Sequence, residues 1–126
     1  MSLLLDTHAF LWWVSDDARL TVRARRAIAG EPCVLSVVSC WEMAIKASLG
    51  KLEIPLPLDR FIADQLETNG FGLLPLGIEH AGAVAALPFH HRDPFDRLLV
   101  TQALREEMSI VSAEKVFRRY GVKRIW

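Results

Sequence analysis

Hydrophobic and polar positions fall into short blocks along this chain. Leu3-Leu4-Leu5 is an unbroken apolar run that stops abruptly at Asp6-Thr7, the pattern of a strand buried on both faces. His8–Val14 reads as a short helix. Thr21 is placed to cap a second helix running to Gly30, with Val22, Ala24, Ala27 and Ile28 at its apolar positions and Arg23, Arg25 and Arg26 on its outer face. Cys33–Ser36 predicts a second strand. Ser39 then opens a helix closed by Gly50, with Cys40, Met43, Ala44 and Ala47 at core-facing intervals. Trp41, Ile45 and Leu49 add a second apolar stripe to the same helix, which is therefore expected to be covered on two sides, Glu42 and Lys46 excepted.

Pro55 and Pro57 interrupt the chain, Asp59 to Gly70 fits another helix, and Phe71–Leu74 a third strand ending at Pro75. Helical spacing resumes over Ile78–Leu87 and gives way to a polar loop at Pro88–Arg92. Asp93-Pro94 starts a helix reaching about Glu107, Ile110-Val111 makes a fourth strand, and Val116–Tyr120 and Val122–Ile125 a last helix and strand. Strands alternating with helices imply right-handed crossovers, so the expectation is an α/β fold: a three-layer α/β/α arrangement around a mostly parallel five-stranded sheet. No linker or internal repeat divides residues 1–126, which are expected to form a single domain.

Composition narrows the function classes. With 52% hydrophobic and 24% charged residues, neither disorder nor a fibrous repeat is suggested. Apolar runs such as Ala9–Val14 are far shorter than the roughly 20 residues that span a bilayer, so no membrane partner is expected. The N-terminus resembles a buried strand more than a signal peptide, which points to the cytoplasm. Cys33 and Cys40 sit in apolar surroundings without metal-site spacing and read as reduced thiols. Fifteen basic and fifteen acidic residues balance, so binding of nucleic acid must be argued from local arrangement.

The acids supply that arrangement. In open parallel sheets functional groups gather beyond the carboxyl ends of the strands. Asp6 follows the first strand, Glu42 the second, Asp96 begins the helix before the fourth, and Glu114 follows the fourth, so four carboxylates can converge on one rim. Unpaired carboxylates repel unless a cation neutralises them, and oxygen donors without a His or Cys cluster favour Mg²⁺ or Mn²⁺, which suits phosphodiester chemistry. Each acid also has a structural reading. Glu42 has capping-box spacing from Ser39 and can pair with Lys46. Asp93 before Pro94 is a helix cap. Asp96 can complement a helix dipole and Glu114 can cap the last helix, whereas Asp6 has no evident structural need.

These residues resemble a known family. Leu4-Leu5-Asp6-Thr7-His8, Ser39-Cys40-Trp41-Glu42-Met43-Ala44-Ile45-Lys46 and Asp93-Pro94-Phe95-Asp96-Arg97, with Ser112-Ala113-Glu114 and Tyr120-Gly121-Val122, are similar to the PIN-domain ribonucleases of the VapC toxin type over essentially the whole chain. The resemblance implies hydrolysis of RNA at a site where Asp6, Glu42 and Asp96 bind Mg²⁺ or Mn²⁺, with Glu114 as fourth catalytic carboxylate. Glu114 departs from the Asp common at that position by one methylene. Thr7 and Ser112 are candidates for orienting a carboxylate or a metal-bound water, and Asp93 is a further acid near the site. His90, His91, Arg92 and Arg97 are candidates for holding RNA phosphates, or form a solvated basic loop. The family also implies a cognate antitoxin, for which Trp12 and Trp13 are groove candidates, and a homodimer. The rival readings are a PIN-like binding module without catalysis and a receiver-like signalling domain. The second would need a phosphoacceptor Asp where this chain has Pro75-Leu76-Gly77.

Overall fold

The computed structural model describes residues 2–126. Its strands are β1 (Leu3–Leu5), β2 (Cys33–Ser36), β3 (Gly72–Leu74), β4 (Ser109–Val111) and β5 (Arg124–Ile125). The α-helices are α1 (Thr7–Val14), α2 (Val22–Gly30), α3 (Val37–Ser48), α4 (Leu58–Asn69), α5 (Ile78–Ala83) and α6 (Pro94–Arg105), with 3₁₀ turns at Val84–Ala86 and Lys115–Tyr120. All four strand pairings are parallel, in the order β3-β2-β1-β4-β5. The sheet is therefore wholly parallel, where the sequence implied only mostly so, and the three-layer α/β arrangement stands.

Period-two alternation on β1 explains the two cores. Leu3 and Leu5 face a cluster with Ala9 and Phe10 of α1, Ala24 and Ile28 of α2 and Ile62 of α4. Leu4 faces the other side, against Leu99, Val100 and Ala103 of α6, with Ile110 and Phe117. Helix α3 reaches both, through Met43 on one side and Val38 on the other. Each fully buried leucine of β1 contributes about 1.5–3 kcal/mol by burial, so the strand that carries Asp6 is held from both faces.

Several element ends differ from the expectations. Helix α3 begins at Val37, because the Ser36 hydroxyl accepts the Val38 N–H at 3.0 Å and so turns β2 directly into the helix. Ser39 therefore lies inside the helix, and no Ser39–Glu42 capping box forms. The buried face is rotated accordingly to Val38, Ser39, Glu42 and Met43, leaving Ala44 exposed and Trp41 59% exposed. Val22, assigned to the apolar side of α2, is likewise exposed. The last helix is a 3₁₀ segment, and β5 covers only Arg124–Ile125 of the expected Val122–Ile125 strand.

Candidate active site

Strand order reverses around β1. The chain moves outward from β1 through β2 to β3, then returns to place β4 on the other side of β1. The crevice beyond the carboxyl ends of β1 and β4 is the switch point where α/β sheets hold their ligands. Asp6 stands there, its backbone N–H bonded to the Val111 carbonyl at 3.1 Å, and Ser112 and Glu114 follow β4 on the other lip.

Asp6 is only 3% exposed and no basic side chain pairs with it among the described residues. Its Oδ1 accepts the Ala9 N–H at 2.7 Å, so it is the N-cap of α1. This supplies the structural role that the sequence did not disclose. Burial, with the negative charges of Glu114 and Glu42, pushes its carboxyl up to about 6, against opposing hydrogen bonds from Ser112 and Ala9. Ser112 Oγ accepts the Glu114 N–H at 2.9 Å, which leaves its own proton free for Asp6.

Glu42 is equally buried, at 3% exposed, and is fixed at both oxygens. Thr7 Oγ1 stands 2.6 Å from Oε1, and Lys46 Nζ lies 2.6 Å from Oε2 one turn along α3. Thr7 has a single hydroxyl proton, so it donates to the carboxylate and accepts from Ser39, whose Oγ is 2.9 Å away. Thr7 thus orients a carboxylate, and Ser39, which the sequence marked only as a helix start, orients Thr7.

Asp96 lies in the first turn of α6, and Asp93 caps that helix through Oδ1 to the Asp96 N–H at 3.0 Å. Asp96 Oδ2 meets His91 Nε2 at 2.7 Å. Burial pushes Asp96 up to about 6. The His91 hydrogen bond and charge oppose the rise, while the charges of Asp93 and Asp6 add to it. Glu114 is exposed and forms no side-chain cap on the 3₁₀ segment it precedes. Asp6, which feels Glu42 and Glu114 and is felt by Asp96, is thus the electrostatic centre of the four acids.

The basic candidates divide. Arg97 is 5% exposed and donates to the carbonyls of Val84, Leu87, Pro88 and His91, so it is structural and closed to an RNA phosphate. Residues 84–91 form little regular ladder, and their carbonyls take the guanidinium instead. His91 is committed to Asp96, and His90 packs edge-on against Tyr120 at 4.9 Å. Arg92 is exposed and makes no ion pair among the described residues. Of the two groove candidates, Trp13 is tied into the fold by Nε1 to Asn69 Oδ1 at 2.9 Å and by contact with Phe71, so it is not a free groove residue. Trp12 lines an open cavity beside the site.

The donor set fits a hard divalent ion that keeps part of its water. All four acids offer oxygen, and Asp6, raised chiefly by burial and further by the charges of Glu114 and Glu42, has no cation paired with it among the described residues. Among the described residues no three His, Cys, Asp or Glu side chains stand together closely enough to hold a metal ion by themselves. Mg²⁺ commonly rests on one or two carboxylates with waters completing its shell. Asp6 and Asp96 are the carboxylates that could hold such an ion.

Comparison with known proteins agrees with this geometry. Residues 3–123 match the PIN domain family. A curated relative, ribonuclease VapC22 of Mycobacterium tuberculosis, is 25% identical over 122 residues, which span 94% of this chain and 92% of the relative. The fold is shared with the crystal structure of VapBC2 from Rickettsia felis bound to a promoter DNA fragment (TM-score 0.72, 13% identity, 98% of this chain and 97% of that one). It is shared also with a toxin-antitoxin complex from Klebsiella pneumoniae (TM-score 0.61, 15% identity, 91% and 89% covered). With the family match spanning nearly the whole sequence and the acids standing at the switch point of its sheet, the chain belongs to the PIN domain family.

Proposed function

We propose that this protein is a ribonuclease dependent on Mg²⁺ or Mn²⁺ and the toxin of a toxin–antitoxin pair, working in the cytoplasm as a homodimer and restrained by a cognate antitoxin. The observation that carries the reading is Asp6, a buried carboxylate at the switch point that is pushed up to about 6 and lacks a cationic partner among the described residues. The ribonuclease name of its relative and the toxin-antitoxin complex of similar fold support the substrate class and the partner. A bound divalent ion would supply the charge that acidifies water and stabilises the phosphoryl oxygens.

The chain's own residues set the stage for that chemistry. Thr7 and Lys46 hold Glu42 in one orientation, and Ser112 holds Asp6. His91 at Asp96 Oδ2 favours the ionised form of Asp96. Water attacks phosphorus in line with the departing 3′-oxygen, which takes a proton, so the products are a 5′-phosphate and a 3′-hydroxyl. The purified protein should cut single-stranded RNA in Mg²⁺ or Mn²⁺ and not in chelator. Asp96→Asn should fold normally and lose at least ~100-fold in cleavage, since removing one charge weakens the ion. Undiminished metal-dependent cleavage by the folded variant, or RNA binding by the wild type with no cleavage, would replace this reading with that of a binding module.

A further inference from the structure

A cavity of about 550 Å³ opens beside the candidate active site, between α1, the turn that follows it and the end of α3. It reaches the site through Thr7, which holds Glu42, and Lys46, the cation paired with Glu42. Its size lies in the range of small-ligand pockets. Its walls join flat aromatic and cationic groups, a combination that a protein-only apolar groove does not need.

Arg19 is the cation of this cavity that stacks on an aromatic ring. Asp17 grips it at Nε (3.1 Å) and Nη2 (2.8 Å), and its Cζ sits 4.9 Å from the centre of the Trp12 ring. The guanidinium is thus laid on the indole and held there by a carboxylate, while 68% of the side chain stays exposed. The Trp12 ring is flanked by His8, 5.6 Å away, and Trp126, 5.7 Å away. Arg19 therefore offers a fixed, outward-facing plane backed by an aromatic ring, the kind of surface on which an unpaired base stacks. Lys51 on the same cavity makes no ion pair among the described residues, so phosphate charge would be met on that side.

We propose that this cavity, built on Arg19, Trp12, His8, Lys46 and Lys51, is a nucleotide subsite that takes one unpaired residue of the RNA next to the bond that is cut. The inference rests on the ribonuclease reading and deepens it. Arg19 stacks on the base, and Lys51 attracts the flanking phosphate. The subsite gives the enzyme a preference at one position beside the scissile bond, because the four bases differ in stacking strength and in the donors they offer Glu53 and Ser15 on the cavity wall.

The test uses the full-length protein in chelator, where no cleavage interferes, and nucleoside 5′-monophosphates as probes. Nucleotides should shift the indole resonance of Trp12 and leave that of Trp41 unmoved, and Arg19→Ala should bind them about tenfold more weakly at unchanged melting temperature. In Mn²⁺, with a randomised single-stranded RNA pool, Arg19→Ala should still cut but with a flattened base preference at one flanking position, and Lys51→Ala should raise KM with little change in kcat. Cleavage by the wild type with no shift at Trp12, or an unchanged base profile in Arg19→Ala, overturns the subsite and leaves the ribonuclease reading intact. Shifts only on adding an antitoxin peptide would make the cavity a protein groove and also overturn it. Nucleotide shifts at Trp12 in a protein that cuts no RNA would instead keep the nucleotide site and remove the ribonuclease reading.

Discussion

Replacing Asp6 by Asn should make the metal-free protein more stable, which is unusual for a buried polar residue. Asn retains a side-chain oxygen that can accept the Ala9 N–H, so the cap on α1 survives. What is lost is a carboxyl whose pKa burial pushes from 3.8 up to about 6, a destabilisation of its ionised form by ~3 kcal/mol. Because the folded pKa lies above the unfolded one, the folded state binds more protons between about pH 4 and 6. The wild type therefore loses stability as pH rises through that window and stays penalised above it. Allowing for weaker acceptance of the Ser112 hydroxyl by an amide, we expect Asp6→Asn to gain about 2 kcal/mol at pH 7.5 in chelator, roughly 5–10 °C in Tm for a chain of this size. The gain should shrink to nothing near pH 4. Added Mn²⁺ should raise the wild-type Tm with concentration and leave the variant unmoved. Thermal scans at pH 4 and 7.5, with and without metal, measure all of this. A Tm at or below wild type at pH 7.5 in chelator, or a gain that persists at pH 4, would refute the claim that uncompensated charge dominates Asp6.

His91→Ala should shift the pH midpoint of Mn²⁺ binding upward, because His91 lowers Asp96 and its loss lets burial raise that group further above 6; calorimetric titrations from pH 5 to 8 check the sign. Glu114→Gln should weaken metal dependence of cleavage less than Asp96→Asn does, since Glu114 is exposed, and Glu114→Asp should keep or improve cleavage; metal titrations of the three variants decide it. Arg97→Met should lower stability by about 3 kcal/mol, read by denaturant unfolding, because the carbonyls it bridges lose their donor, while nucleotide binding by the folded fraction stays within about twofold.

Much of this architecture was legible in the sequence because the residues that define it are local. Leu3-Leu4-Leu5 before Asp6 is a strand by its apolar run, and Asp93-Pro94 is a cap by its chemistry. The start of α3 differs from the sequence expectation by a few residues because Ser36 and Ser39 are both able to cap. Only the direct turn from β2 into the helix selects the first, and that choice rotates the face on which Glu42 is buried. The arginine beside Asp96 looked like a phosphate ligand since a charge has no address in sequence. Its burial depends on carbonyls six to thirteen residues upstream whose lack of partners is a tertiary fact. The stacked pair of Arg19 and Trp12 was invisible for the same reason, as the two meet only once the chain has turned after α1.

Arg97 has one more consequence, for how this protein meets a protease. Ala85, Ala86, Pro88 and Phe89 are exposed, so a map of side-chain accessibility marks the stretch as a site for nicking. A protease must draw several residues into an extended strand and take over their backbone hydrogen bonds, and here the carbonyls of Val84, Leu87, Pro88 and His91 already answer to one guanidinium. The segment is open to solvent by its side chains and engaged through its main chain. Digestion should begin elsewhere, and the loop that presents His91 to Asp96 should outlast more heavily structured parts of the surface.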